Sequence, residues 1–191
     1  MPLITFGEAI RQAYEEEMTR DKNVFLIGED VGRWGSLYRS SRGLLEKFGT
    51  DQLKDTPISE SALAGCGIGA AAMGMRPIVE IMYIDFISIS MDQIVNHAAK
   101  WHQLSNGKVK LPIVFKTQGG AGRRNSSQHS QSLENWFVNI PGLITVMHLD
   151  QNYTKNLPYF KELPRGMVVA ELDSMTDIFE AKRVLKGHMC I

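Results

Sequence analysis

The sequence predicts an α/β fold, a three-layer arrangement in which a parallel sheet lies between helices. Two observations predict it. The short continuous apolar run Val24–Ile27 has the length and character of a buried strand, and the mainly apolar segments Pro77–Met82, Pro112–Thr117 and Gly142–Met147 read as three more strands. Segments with helical spacing lie between them, and strands alternating with helices build parallel sheets covered on both sides.

The first helix begins at Thr5, with Glu8 placed to complete a capping box. Phe6, Ala9, Ile10, Ala13, Tyr14 and Met18 recur at helical spacing, while Glu15, Glu16 and Glu17 crowd a solvated side. Val24–Ile27 runs into Gly28-Glu29-Asp30, a strand ending in a polar turn. A glycine-bearing loop then leads to a short helix around Arg42–Phe48. Asp55–Glu60 is extended, because Pro57 biases Thr56 away from helix.

Ser61–Met75 carries Ala62, Ala64, Gly65, Gly67, Gly69, Ala70, Ala71, Ala72 and Gly74. Each glycine costs a helix ~1 kcal/mol relative to alanine, so this helix must lie very close to another element. Pro77–Met82 is the second strand, and Phe86–His102 reads as one long helix. Pro112–Thr117 is the third strand, followed by the loop Gln118–Ser130. Gly142–Met147 is the fourth, Gly166–Leu172 reads as a further strand, and Thr176 caps a helix that stops at Gly187.

Lysine plus arginine equals aspartate plus glutamate, 21 of each, so the formal net charge is zero. That leaves no electrostatic case for nucleic acid or an anionic membrane, and a neutral surface opposes self-association only weakly. No stretch approaches the ~18 apolar residues of a membrane span. Cys66 and Cys190 lie far apart, and no secretory signature precedes them. They read as reduced thiols in a cytoplasmic protein.

Ligands of open α/β sheets sit outside the carboxyl ends of the strands. Glu29, Phe86 and His129 follow the first, second and third strands, and Glu60 stands where an extended segment meets the small-residue helix. Pattern alone also allows plainer readings: a first-turn carboxylate at Glu60, a solvated turn carboxylate at Glu29, a loop histidine at His129. Gly119-Gly120-Ala121-Gly122 fits neither the dinucleotide fingerprint nor the P-loop. No His, Cys, Asp or Glu spacing suits a metal, and no nucleophile elbow is present, so no metal site is expected in this chain. Met73, Met75, Met82 and Met91 read as core filling.

Five segments occur in a telling order: Val24–Gly32, Asp55-Thr56-Pro57-Ile58-Ser59-Glu60, Gly74–Glu80, Asp92–Lys100 and Gln128-His129-Ser130-Gln131. Together, over residues 3–147, they resemble the β subunit of the E1 component of pyruvate, branched-chain 2-oxo acid and acetoin dehydrogenases. Tyr83-Ile84-Asp85-Phe86 and Glu60-Ser61-Ala62 resemble the acetoin branch most.

The resemblance implies the thiamine-diphosphate-binding, transketolase pyrimidine-domain-like fold over residues 1–147, with a divergent tail at 148–191. It implies that Glu60 hydrogen-bonds N1′ of the cofactor's aminopyrimidine, favouring the tautomer that removes the thiazolium C2 proton. Phe86 would stack on the pyrimidine, with Ile58 and Met82 lining its pocket. Glu29 would stand beside the glutamate's proton network, and His129 would face the substrate and the incoming lipoyl group.

The family anchors the diphosphate through Mg²⁺ with a Gly-Asp-Gly…Asn motif on a partner domain, and no Gly-Asp-Gly occurs here. The expected cofactor is thus thiamine diphosphate shared with an E1 α-type subunit that holds the Mg²⁺. The assembly would be a heterotetramer serving a lipoyl-bearing E2 component, with negligible turnover by this chain alone.

In the tail, Leu157–Pro164 and Thr176–Lys182 resemble a uroporphyrinogen-decarboxylase-like fragment. The tail either completes the sheet or is an appendage. Some family members bind K⁺ through the carbonyl at the position of Ile113; the other ligands would fall in the divergent tail, so an intact K⁺ site is not expected. The alternative function is a truncated or fused non-catalytic remnant acting only as an interaction module, or a small binding protein for thiamine-like ligands.

Overall fold

The computed structural model of the chain describes residues 6–37, 39–121, 124–148 and 168–172. Helix α1 (Phe6–Arg20) leads to strand β1 (Val24–Gly28), helix α2 (Leu44–Gln52), strand β2 (Leu53–Asp55), helix α3 (Glu60–Ala72) and strand β3 (Arg76–Glu80). A 3₁₀ helix (Ile84–Ser90), a π-helical stretch (Gln93–Ala98) and the short helix α4 (Trp101–Leu104) follow. Strand β4 (Val114–Lys116), helix α5 (Asn135–Val138) and strands β5 (Ile144–His148) and β6 (Val168–Leu172) complete the described elements.

Among the described residues, six strands form one sheet in the order β2-β1-β3-β4-β6-β5. Every pairing is parallel. The period-two alternation of the strands divides the apolar residues between two cores. On one face Val24, Leu26, Ile78, Val114 and Val146 pack with Ile10, Ala13, Tyr14 and Met18 of α1. On the other, Phe25, Ile27, Val79, Ile81 and Phe115 pack with Leu63, Ala64, Ile68 and Ala71 of α3. This is the layered α/β arrangement expected from the alternation of runs.

The small residues of α3 are explained by its approach to β3 and β4. A methyl built on Gly67 would collide with Val79 Cγ2 and stand 3.1 Å from Ile113 Cδ1. Only glycine lets the helix axis come so close to the sheet.

The structure adds one strand and corrects one expectation. Leu53–Asp55, of which only Asp55 fell in a segment expected to be extended, is a strand paired with β1 through Leu26↔Leu53 and Gly28↔Asp55. Its three residues include exposed Lys54 and Asp55, so no apolar run announces this edge strand. The single long helix expected over Phe86–His102 is instead three helical pieces of different pitch. Ile84, Ile87 and Ser90 are all fully buried. A spacing of three puts them on one side of a 3₁₀ helix, where an α-helix would spread them.

The strand expected at Gly166–Leu172 is present as β6. It inserts between β4 and β5, with Phe115↔Val169 and Ile144↔Val168 in register. The Thr5 cap, Cys190, the Thr176 helix and the segment Leu157–Pro164 lie outside the described residues. No helix among the described residues is long and apolar enough to cross a membrane.

Candidate functional site

The parallel register brings the carboxyl ends of β1, β2, β3 and β4 to one edge, with Gly28 opposite Asp55 and Glu80, and Glu80 opposite Lys116. Glu29, the segment Thr56–Glu60, the segment Ile81–Phe86 and the segment Thr117–Gly120 therefore emerge side by side. Backbone bonds knit them: Thr56 N donates to Gly28 O (3.1 Å), Ile81 N to Lys116 O (2.9 Å) and Ile84 N to Gln118 O (2.8 Å).

Glu60 is the first residue of α3 and is only 7% exposed. Glu29 reports its closeness. Burial raises the Glu29 carboxyl above the usual range, and the neighbouring charges of Glu60 and then Asp30 raise it further. Two like charges within reach of one another make the ionised form of Glu29 the costlier one.

Rings form a second group. His129 meets Tyr83 edge-on with 4.8 Å between centroids, and Phe86 edge-on at 5.1 Å; Tyr83 and Phe86 are 6.1 Å apart. These perpendicular contacts are the favourable aromatic geometry. The His129 Nδ1 is paired with Gln128 Oε1, and Ser126 Oγ donates to the same oxygen at 2.7 Å. Thus Glu29 joins Glu60, and Phe86 joins His129. Met82 is half-buried, whereas Ile58, 78% exposed, projects from the rim.

Beneath this edge lies a network that sequence reasoning missed. Lys116 Nζ stands 3.1 Å from Glu80 Oε2. Tyr14 OH donates to the same oxygen at 3.2 Å, and Ser36 Oγ donates to Glu80 Oε1. Burial raises the Tyr14 hydroxyl well above its ordinary range, reinforced by the Glu80 charge. Through Ser36 the network grips the loop that follows Glu29. Asp55 grips it from the other side, accepting hydrogen bonds from Gly32 N (2.6 Å) and Arg33 N (2.9 Å). The signal was available as single charges inside apolar strand runs, Glu80 and Lys116.

Chemically, the edge offers two carboxyls, Glu29 and the buried Glu60, for hydrogen bonding to a basic ring nitrogen. It also offers half-buried Phe86 as an apolar surface for a planar ring, and an imidazole beside it. Among the described residues, no group of three or more His, Cys, Asp or Glu side chains gathers to hold a metal.

The family described as "Transketolase, pyrimidine binding domain" matches residues 3–161. The pyruvate dehydrogenase E1 component subunit beta of Rickettsia conorii is 42% identical over 186 residues, 97% of this chain and 54% of that protein. The 2-oxoisovalerate dehydrogenase subunit beta of Bacillus subtilis is 47% identical over 147 residues, 77% of this chain and 45% of that protein. The chain spans about half the length of these curated relatives. Among solved structures, the transketolase from Leishmania mexicana matches with a TM-score of 0.66 at 13% identity, over 91% of this chain and 26% of that one. A split-gene transketolase, an inactive beta4 tetramer, gives 0.65 at 13% identity, over 93% of this chain and 54% of that one. At such identity the likeness speaks for the fold. The match over residues 3–161 and the likeness of fold agree, and the chain belongs to the transketolase pyrimidine-binding-domain family.

Proposed function

We propose that this chain is the β-type half of a thiamine-diphosphate-dependent E1 that acts on a 2-oxo acid or acetoin. The observation that carries the reading is the buried Glu60 carboxyl at the head of α3, with Glu29 within reach of its charge. The names of its relatives, beta subunits of pyruvate and 2-oxoisovalerate dehydrogenases, support the reaction class.

The residues present fit the aminopyrimidine end of thiamine diphosphate. Glu60 suits a basic ring nitrogen, because an acid shielded from water makes a stronger hydrogen bond than an exposed one. Phe86 offers a face for the planar ring, and Ile58 and Met82 offer apolar rims. When bound, the cofactor supplies the electron sink for cleavage next to the substrate carbonyl. Glu60 holds the proton at the pyrimidine nitrogen, and Glu29 shares it. His129 moves a proton at the substrate or at an arriving lipoyl group.

The chain has no Gly-Asp-Gly, so the diphosphate and its Mg²⁺ fall to an E1 α-type subunit, with the cofactor shared between the two chains. The working unit is a heterotetramer in the cytoplasm, delivering to a lipoyl-bearing E2 component.

The test is co-expression with the α-type subunit, followed by assay of 2-oxo acid and acetoin oxidation with an artificial electron acceptor, thiamine diphosphate and Mg²⁺. Glu60→Gln should leave the complex intact and lower kcat by ~100-fold or more, the scale of a lost proton-transfer group. A stable complex without Glu60-dependent turnover would favour a non-catalytic interaction module, and failure to form any complex would sink the β-type reading.

A further inference from the structure

Asp85 immediately precedes Phe86 on the 3₁₀ helix and is 6% exposed. Its Oδ1 accepts two hydrogen bonds from one residue: Gln131 N at 3.1 Å and Gln131 Nε2 at 2.9 Å. The carbonyl of Gln131 in turn accepts from Gly120 N at 2.8 Å. Both ends of the segment Gly120–Gln131 therefore meet at Gln131, and Gln131 is fastened to a buried side-chain oxygen. Two donors on one oxygen fix direction as well as distance.

The segment needs such a fastening. Residues 124–128 are exposed, so burial contributes little to holding them. Arg124 and Ser126 sit at φ of 52° and 62°, left-handed positions that a non-glycine residue adopts only when its surroundings impose them. The internal bonds, such as Asn125 N to Ser130 Oγ at 3.0 Å, stay within the segment and tie it to nothing else. Among the described residues, the links that cross to the body of the protein include the Asp85–Gln131 bonds and the packing of the His129 ring on Tyr83 and Phe86. They flank the same point, since His129 is two residues from Gln131 and Phe86 is next to Asp85.

We propose that Asp85 and Gln131 form a latch that holds the His129 segment against the Phe86 helix, making both of them positioning residues. The link to catalysis rests on the reading of His129 given above, whereas the latch itself is measurable without it. The remaining oxygen, Asp85 Oδ2, is shielded and has no hydrogen-bond partner among the described residues. All of the fastening therefore passes through Oδ1, and an asparagine that keeps that oxygen should keep the latch.

The experiment has two arms. In the full chain, amide hydrogen exchange is followed for wild type, Asp85→Ala, Asp85→Asn and Gln131→Met. Asp85→Ala should speed exchange at Gly120 and Gln131 by ~10-fold or more, with β1 and β3 unchanged, because a local opening exposes only its own amides. Asp85→Asn should stay near wild type. Gln131→Met, which keeps the main-chain bond, should fall between and serves if Asp85→Ala fails to fold. Unchanged exchange in the loop of Asp85→Ala, or of Gln131→Met in its place, overturns the latch.

In the complex with the α-type subunit, Asp85→Ala should lower kcat by ~10- to 100-fold with KM nearly constant, the cost of a slightly misplaced catalytic group. That loss should vanish in a His129→Ala background, because residues acting through one another are not additive. Full additivity overturns the positioning role, since Asp85 would then be acting elsewhere. If exchange speeds up while His129→Ala leaves turnover unchanged, the latch stands and the catalytic reading of His129 falls.

Discussion

Glu80 and Lys116 face one another across neighbouring parallel strands, 3.1 Å apart, with each side chain only 3% exposed. Their charges are compensated by each other and by the Tyr14 and Ser36 hydroxyls. Removing one partner strands the other. Lys116→Met should therefore destabilise the fold by ~3–5 kcal/mol, read from the urea midpoint. The double variant Lys116→Met, Glu80→Gln should recover a large part of that loss. If the single variant costs no more than a surface substitution, the pair is not the keystone described here.

The same network gives a prediction at high pH. Tyr14 ionises less readily in the folded protein than in the unfolded chain, whose tyrosines titrate near their ordinary value of 10.0. The folded state then holds its proton more tightly. This contribution is complete below pH ~10 and is lost as pH rises toward the folded value. Denaturation midpoints measured across the alkaline range should fall, and Tyr14→Phe should flatten the decline. At neutral pH Tyr14→Phe loses one hydrogen bond, worth ~1 kcal/mol.

Glu29 obeys the same sign at lower pH. Its carboxyl is raised from 4.5, so the folded protein favours the protonated form. Stability is lost as pH rises from 4.5 through the folded value, because the ionised group is the one penalised. Glu29→Gln should remove that slope and leave the neutral-pH protein at least as stable, while lowering turnover of the complex. A steeper acid-side slope in the variant would show that Glu29 is not strained by burial and by Glu60.

Two glycines on one helix should respond oppositely. Gly67 has no room for a methyl against Val79 and Ile113, so Gly67→Ala should destabilise by ~1–3 kcal/mol through overpacking. Gly69 has nothing within 4 Å of the added carbon. There Gly69→Ala should stabilise the chain by up to ~1 kcal/mol through helix propensity. Equal responses in thermal melts of the two variants would mean that α3 does not approach the sheet through Gly67.

The strands β1, β3 and β4 were legible because they are buried on both faces and so read as largely apolar runs, and β5 was legible from its apolar Ile144, Val146 and Met147. The crowding of small residues in α3 likewise announced a close approach, and the segment Asp55–Glu60 marked Glu60 through its resemblance to E1 β subunits. Strand β2 was hidden because an edge strand needs no apolar run. The pitch of the helix after β3 was hidden because the burial of Ile84, Ile87 and Ser90 on one side, not local propensity, selects it.

What the sequence determined by itself was the layering of the fold and the identity of the acids and rings at the strand ends. Only the tertiary structure decided which of them come together: His129 with Phe86, Glu80 with Lys116, Asp85 with Gln131, and Glu29 within reach of the Glu60 charge. Periodicity reports how each segment faces its own core. Contacts between distant segments depend instead on parallel register and on how far each loop carries its residues, and no local pattern encodes either.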